Sequence, residues 1–233
     1  MELQAASVVV VVFLSTFLPG RVYAVNHTHP PPPPSNDPNQ TTPANPPFSS
    51  HLAATELMRS MIDHRKVLIL ALNGPAVGGG AAWFPGVADI ILASSTAWLQ
   101  CPFSALGLVP ENGSALSFAQ HIGVHRANEF LMFGRKLQAQ ELLDAGLYNY
   151  VWDVTGDAFQ AKVVAFLQEM LETNDGKSMI EMKRLQNAPL RDQRMVAVVN
   201  AVDALAERFV EGAPDKRFAL KKKELEEKRK AKL

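Results

Sequence analysis

The sequence predicts an α/β fold: a layer of short strands and helices followed by a helical C-terminal extension. Three observations predict it. Lys66-Val-Leu-Ile-Leu-Ala-Leu72 is a continuous apolar run bounded by a charge and by Asn73-Gly74, which reads as a strand buried on both faces. The glycine-rich turn Leu72-Asn-Gly-Pro-Ala-Val-Gly-Gly-Gly80 follows at once and leads into a short helix over Ala81–Val87. Strand patterns come first along the globular part and helical periodicities dominate afterwards.

The chain divides by composition into four stretches. Residues 1–24 are an apolar N-terminal segment. The run Val8–Leu18 precedes Val22-Tyr-Ala24, a small-residue site like that of a signal peptide, but Glu2 and no Lys or Arg comes before it. It therefore reads either as a strand remnant or as a signal, and it is too short to span a bilayer. Residues 25–50 hold Pro30–Pro34 and form a solvated polyproline-type loop or linker. Residues 51–153 form the core, and residues 154–233 the helical region.

Within the core, Leu52, Leu57, Met58, Met61 and Ile62 fall at helical spacing, predicting a helix over Leu52–His64. Asp89–Ala93, Thr96–Cys101 and Tyr148–Trp152 read as short strands. Ser114–His121, His125–Phe133 and Gln138–Ala145 read as helices, the last stopped by Gly146. Asp157–Glu172, Ser178–Gln186 and Arg191–Val210 follow as helices. Gly212-Ala-Pro214 breaks the last of them, and a basic helix runs from about Asp215 to the end.

Composition excludes several function classes. Lys plus Arg and Asp plus Glu both number 23, so no net charge draws the chain to nucleic acid. Cys101 is the single cysteine, so neither an internal disulfide nor a cysteine metal cluster can form; this suits a reducing compartment. The six histidines are scattered without a carboxylate ligand set, so no metal site is expected. Gly78-Gly-Gly80 lacks the Gly-Lys-Ser/Thr of a phosphate loop, and Trp83 stands where the last glycine of a dinucleotide fingerprint would be. A serine nucleophile in a Gly-x-Ser-x-Gly setting is absent. Trp83, Trp98 and Trp152 read as core residues.

Two features carry chemistry, each with two readings. The glycine turn is either a tight strand-to-helix connection or a set of backbone N–H groups aimed at an oxyanion. Glu111, in Gly107-Leu-Val-Pro-Glu-Asn-Gly-Ser114, is either a charge at a helix start or a general base.

From about Ser50 onward the chain resembles the enoyl-CoA hydratase/isomerase (crotonase) superfamily, and within it the fungal peroxisomal Δ3,Δ2-enoyl-CoA isomerases. The matching stretches are Leu72–Gly80, Ala88-Asp-Ile-Ile-Leu-Ala93, Pro102-Phe-Ser-Ala-Leu-Gly-Leu-Val-Pro-Glu-Asn-Gly113, Ala145-Gly-Leu147 and Phe209–Phe218. The resemblance implies a crotonase-like spiral ββα core, N-terminally incomplete here. It also implies acyl-CoA as substrate, no cofactor, and a homotrimer or hexamer.

Position by position, Gly79 matches the residue whose N–H forms half of the oxyanion hole, and Glu111 the catalytic glutamate of the isomerases. Ala76, Gly78, Gly80, Pro102, Phe103 and Leu106 match substrate-binding positions. The two glutamates that hydratases use to add water correspond to Ala82 and Phe103, an apolar pair that cannot activate water, so the resemblance implies an isomerase. The implied reaction moves the double bond of a 3-enoyl-CoA to the 2-trans position.

At the C-terminus, Ala231-Lys232-Leu233 is similar to the Ser-Lys-Leu address read by the peroxisomal import receptor, implying a peroxisomal location. Secretion is the alternative if the N-terminal run is a signal. The chain departs from the family at its front, where the Gly-Ala-Asp-type loop that supplies the second oxyanion N–H has no counterpart. That departure leads to the expectation of a truncated gene model. It also leaves open a second function, a catalytically impaired homologue acting only as a binding or assembly subunit.

Overall fold

The computed structural model of the chain describes residues 9–14 and 48–230. The Pro-rich stretch through residue 47, Val22-Tyr-Ala24 and the terminal Ala231, Lys232 and Leu233 lie outside the described residues.

The elements begin with β1 (Val9–Leu14), α1 (Phe48–Ile62), β2 (Val67–Leu72), β3 (Ala76–Val77), α2 (Gly79–Val87), β4 (Ile90–Ser94) and β5 (Trp98–Gln100). A 3-10 turn at Ser104–Leu106 leads to α3 (Ser114–Ile122), α4 (Val124–Phe133), β6 (Leu137–Gln138), α5 (Ala139–Asp144) and β7 (Tyr150–Trp152). The C-terminal helices are α6 (Gly156–Thr173), α7 (Gly176–Asn187), α8 (Arg191–Val210) and α9 (Ala213–Lys230).

Two sheets share the work. The larger is parallel throughout, in the order β1-β2-β4-β7, with Val9 opposite Val67 and Ile69 opposite Ile90. The smaller runs β3-β5-β6. The chain visits the larger sheet, then the smaller, then a helix, and repeats: β2-β3-α2, then β4-β5-α3. This is the ββα spiral that the resemblance implies. The two-residue strands β3 and β6 are too short to show any periodicity, and Ala76-Val77 is indistinguishable in sequence from the turn around it.

β2 is buried at every position. Its Leu70 and Leu72 enter the main core with Phe118 and Phe130, whose ring centroids lie 4.9 Å apart. Val67, Ile69 and Ala71 face the other way, against Phe159 and Val163 of α6. Burial on both faces explains why the run lacks alternation. Each such side chain contributes about 1.5–3 kcal/mol by leaving water.

α7 is fastened to this sheet by a buried cation. Lys183, 7% exposed, pairs with Asp89 Oδ2 at 2.7 Å and donates to the Lys66 carbonyl at 2.7 Å. Asp89 Oδ2 also accepts the Leu68 N–H at 2.7 Å. Lys183→Ala leaves that carboxylate without its cation, and breaking such a pair costs about 3 kcal/mol. A fall in melting temperature by thermal denaturation checks this.

Candidate functional site

The site is assembled where α2 begins. Gly78 has φ 67° and ψ −136°, a conformation closed to residues with a side chain. Its N–H donates to the Gln100 carbonyl at 2.8 Å, tying the turn to β5, and its own carbonyl accepts the N–H groups of Ala81 and Ala82 at 3.1 Å. Gly79 and Gly80 are then the first two residues of α2. Their N–H groups have no carbonyl to meet inside the helix and sit at its positive end.

Glu111 reaches this point from a loop held at both ends. Asn112 and Gly113 are both left-handed, with φ 52° and 76°, and the Ser114 N–H closes a turn onto the Glu111 carbonyl at 2.9 Å. Gly113 lies against α8, where a Cβ would meet Val198 at 3.3 Å. At the other end Gly107, φ 71°, is pressed against the Ala213 carbonyl of α9 and accepts from Arg208 Nε at 3.3 Å.

The two halves meet at one oxygen. Glu111 Oε2 lies 3.2 Å from the place a Cβ on Gly79 would occupy, and it accepts the indole N–H of Trp83 at 3.2 Å. Glu111 is largely but not wholly buried. Burial pushes its carboxyl above the ordinary glutamate range, opposed by the Trp83 hydrogen bond. Cys101 stands close by, its thiol pushed up by burial and then by the Glu111 charge, and donating to the Gly78 carbonyl at 3.7 Å. A carboxylate made more basic, beside main-chain N–H groups that meet no acceptor among the described residues, can take a proton from carbon while an adjacent oxygen gains charge.

The other predicted positions are placed as follows. Ala76 pairs with Leu99 across β3 and β5. Gly80 is buried at the helix start. Pro102 packs against Gly134 at 3.1 Å from a Cβ built there. Phe103, 3% exposed, and Ala82, 1% exposed, are both in the main core. Leu106 faces α9 instead, lining a groove of about 470 Å³ with Phe218, Lys221, Leu225 and Arg229. The structure thus gathers Gly78, Gly79, Gly80 and Glu111, and puts Leu106 in a different surface feature.

Trp83, read from the sequence as core, does pack against two core clusters, and it also donates to Glu111, which the sequence reading did not foresee. A signal existed: Trp83 is four residues after Gly79, on the same face of one helix. Trp98, by contrast, carries Lys136 Nζ over its ring at 4.0 Å, and Trp152 packs with Phe159 and Phe166.

Comparison with known proteins identifies the family of the chain. The profile of the enoyl-CoA hydratase/isomerase family matches residues 41–231. The chain is 35% identical over 169 residues to a Delta(3,5)-Delta(2,4)-dienoyl-CoA isomerase of Pyricularia oryzae, covering 70% of this chain and 60% of that one. It is 40% identical over 119 residues to Chromodomain Y-like protein 2 of Mus musculus, covering 51% of this chain and 23% of the relative. The crystal structure of an enoyl-CoA hydratase/isomerase from Pseudoalteromonas atlantica T6c superposes with a TM-score of 0.66 at 26% identity, covering 72% of this chain and 66% of that one. The chain therefore spans less than two thirds of the length of these relatives. With its ββα spiral and a matched region reaching from the end of the Pro-rich stretch through α9, the chain belongs to the enoyl-CoA hydratase/isomerase family.

Proposed function

We propose that this chain isomerises enoyl-CoA thioesters by a single-carboxylate proton shuttle, converting 3-enoyl-CoA to 2-trans-enoyl-CoA in fatty-acid β-oxidation. The observation that carries the reading is the seating of Glu111 Oε2 against Gly79 at the start of α2. Glu111 removes a proton from C2 of the substrate. The thioester oxygen, gaining charge, accepts the Gly79 N–H. The carboxylic acid then returns the proton at C4, so nothing is consumed and no redox or metal chemistry is required by the step. The dienoyl-CoA isomerase relative supports acyl-CoA as the substrate, and we propose a trimer or hexamer as the assembly.

A second reading is favoured by the dienoyl-CoA isomerase relative. Moving a 3,5-diene to the 2,4 position takes a proton from C2 and delivers one at C6, beyond the reach of one carboxylate. That chemistry calls for a second acid further along the chain. The two readings part when purified protein is offered 3-enoyl-CoA and 3,5-dienoyl-CoA separately and the conjugated product is followed by absorbance. Turnover of the monoene alone, lost in Glu111→Gln, supports the first reading; turnover of the diene alone favours the second. Conversion of neither overturns the enzyme proposal and leaves a binding or assembly subunit.

We further propose import into the peroxisome through Ala231-Lys232-Leu233. A reporter fused upstream of the free C-terminus is expected in peroxisomes, and one blocked by added residues is expected outside them. Secretion of the free form would overturn the assignment.

A further inference from the structure

We infer that Trp83 is a positioning residue for Glu111: its indole N–H holds Oε2 and leaves Oε1 as the oxygen that carries the proton. This deepens the isomerase reading and rests on it for its catalytic consequence.

The placement follows from helix geometry. Side chains on a helix lean toward its N-terminus, so Trp83, one turn after Gly79, lays its ring back over the first turn of α2. A Cβ on Gly79 would meet Trp83 Cε2 at 3.1 Å and Glu111 Oε2 at 3.2 Å. A side chain at that position would press on both groups and push one of them aside by a few tenths of an ångström. The indole cannot easily swing away, because Trp83 packs among Met58, Ile62, Val87 and Val198, which come from α1, α2 and α8. It therefore acts as a fixed donor 3.2 Å from Oε2. Among the described residues no group hydrogen-bonds Oε1.

The charge environment makes this contact matter. The titratable group facing Glu111 from the end of β5 is the Cys101 thiol, kept neutral by burial. From α8, Arg194 shares a small cavity with Trp83 and Asn112 and donates to Asn187, while feeling the charge of Asp89. The Trp83 N–H is the hydrogen bond that offsets the desolvation of Glu111. A donor to the ionised form favours that form, so its removal makes the carboxylate harder to ionise. A hydrogen bond to one oxygen also fixes the plane of the carboxylate relative to the Gly79 N–H.

The test uses the full chain and Trp83→Phe, which keeps the ring and removes the N–H. The acidic limb of the kcat/KM profile is expected to move up by about one pH unit, and kcat to fall about tenfold with KM little changed. An unmoved limb overturns the inference, since a residue that only fills space would not shift it. A second measurement is independent of turnover. The indole 15N–1H signal lost in Trp83→Phe is expected to titrate with Glu111 in the wild type and to be pH-independent in Glu111→Gln. If Trp83→Phe does not fold, the signal is the one displaced by Glu111→Gln; no displaced signal overturns the inference. Titration of the indole without turnover of any enoyl-CoA upholds the Trp83 contact and removes the isomerase reading instead.

Discussion

Glu111→Gln is expected to lower turnover of 3-enoyl-CoA by at least about 10³-fold, because one general base of this kind is worth about 10²–10⁴ and in the proposed mechanism it serves both proton transfers. KM should change little, since the amide keeps the shape of the acid and the proposed mechanism holds the thioester oxygen by main chain. Stability should move the other way. Burial raises the folded-state pKa of Glu111 above its unfolded value. The native state then binds more protons than the unfolded one between those two values, so stability declines as pH rises through that window and the penalty is fully present above it. Replacing Glu111 by an uncharged amide removes the penalty, so at neutral pH the variant should melt at the same temperature as the wild type or higher. Lost activity with retained stability marks a group kept for chemistry. Paired kinetic and calorimetric measurements test this, and a large drop in melting temperature would mean the carboxylate serves the fold. The same pKa direction sets the activity profile of the wild type: kcat/KM should fall on acidification through a pKa above that of ordinary glutamate.

Gly107→Ala should be the most damaging small substitution outside the site. Gly107 has φ 71°, and an added Cβ would lie 2.7 Å from the Ala213 carbonyl oxygen. The left-handed conformation costs about 1–2 kcal/mol for a residue with a side chain. Forcing the backbones apart adds about 1–3 kcal/mol. Backbone, unlike a flexible side-chain tip, cannot step aside, so α9 has to shift from the loop that carries Glu111. We expect a loss of about 2–5 kcal/mol in chemical denaturation, the sum of the same two terms. Turnover of the folded fraction should fall as well, because Arg208 Nε, which donates to the Gly107 carbonyl, would lose its acceptor geometry. An unchanged denaturation midpoint would show that the α9 contact is dispensable.

Much of this molecule is legible in its sequence because the relevant signals are local. The run Val67–Leu72 announces a doubly buried strand through unbroken apolarity, and β2 is that strand. Arg191–Val210 follows from helical spacing and its breaker at Gly212, and α8 has those bounds. Gln138–Ala145 follows from its spacing and its stop at Gly146, and α5 lies within those bounds. Gly79 and Glu111 stand out as chemistry-bearing types.

What the sequence determined by itself is the order of the longer elements, the residues fit to form the core, and the two candidate groups, Gly79 and Glu111. What only the tertiary structure decided is their meeting: Glu111 Oε2 at 3.2 Å from a Cβ position on Gly79, with Trp83 beside both and donating to that oxygen. It also separated Leu106 from that meeting and turned it toward α9. The reason is range. Periodicity and turn chemistry act over a few residues of chain, whereas the distance between residues 79 and 111 is set by how α8 and α9 press the intervening loop into place, and that pressure is exerted by residues about a hundred positions further along.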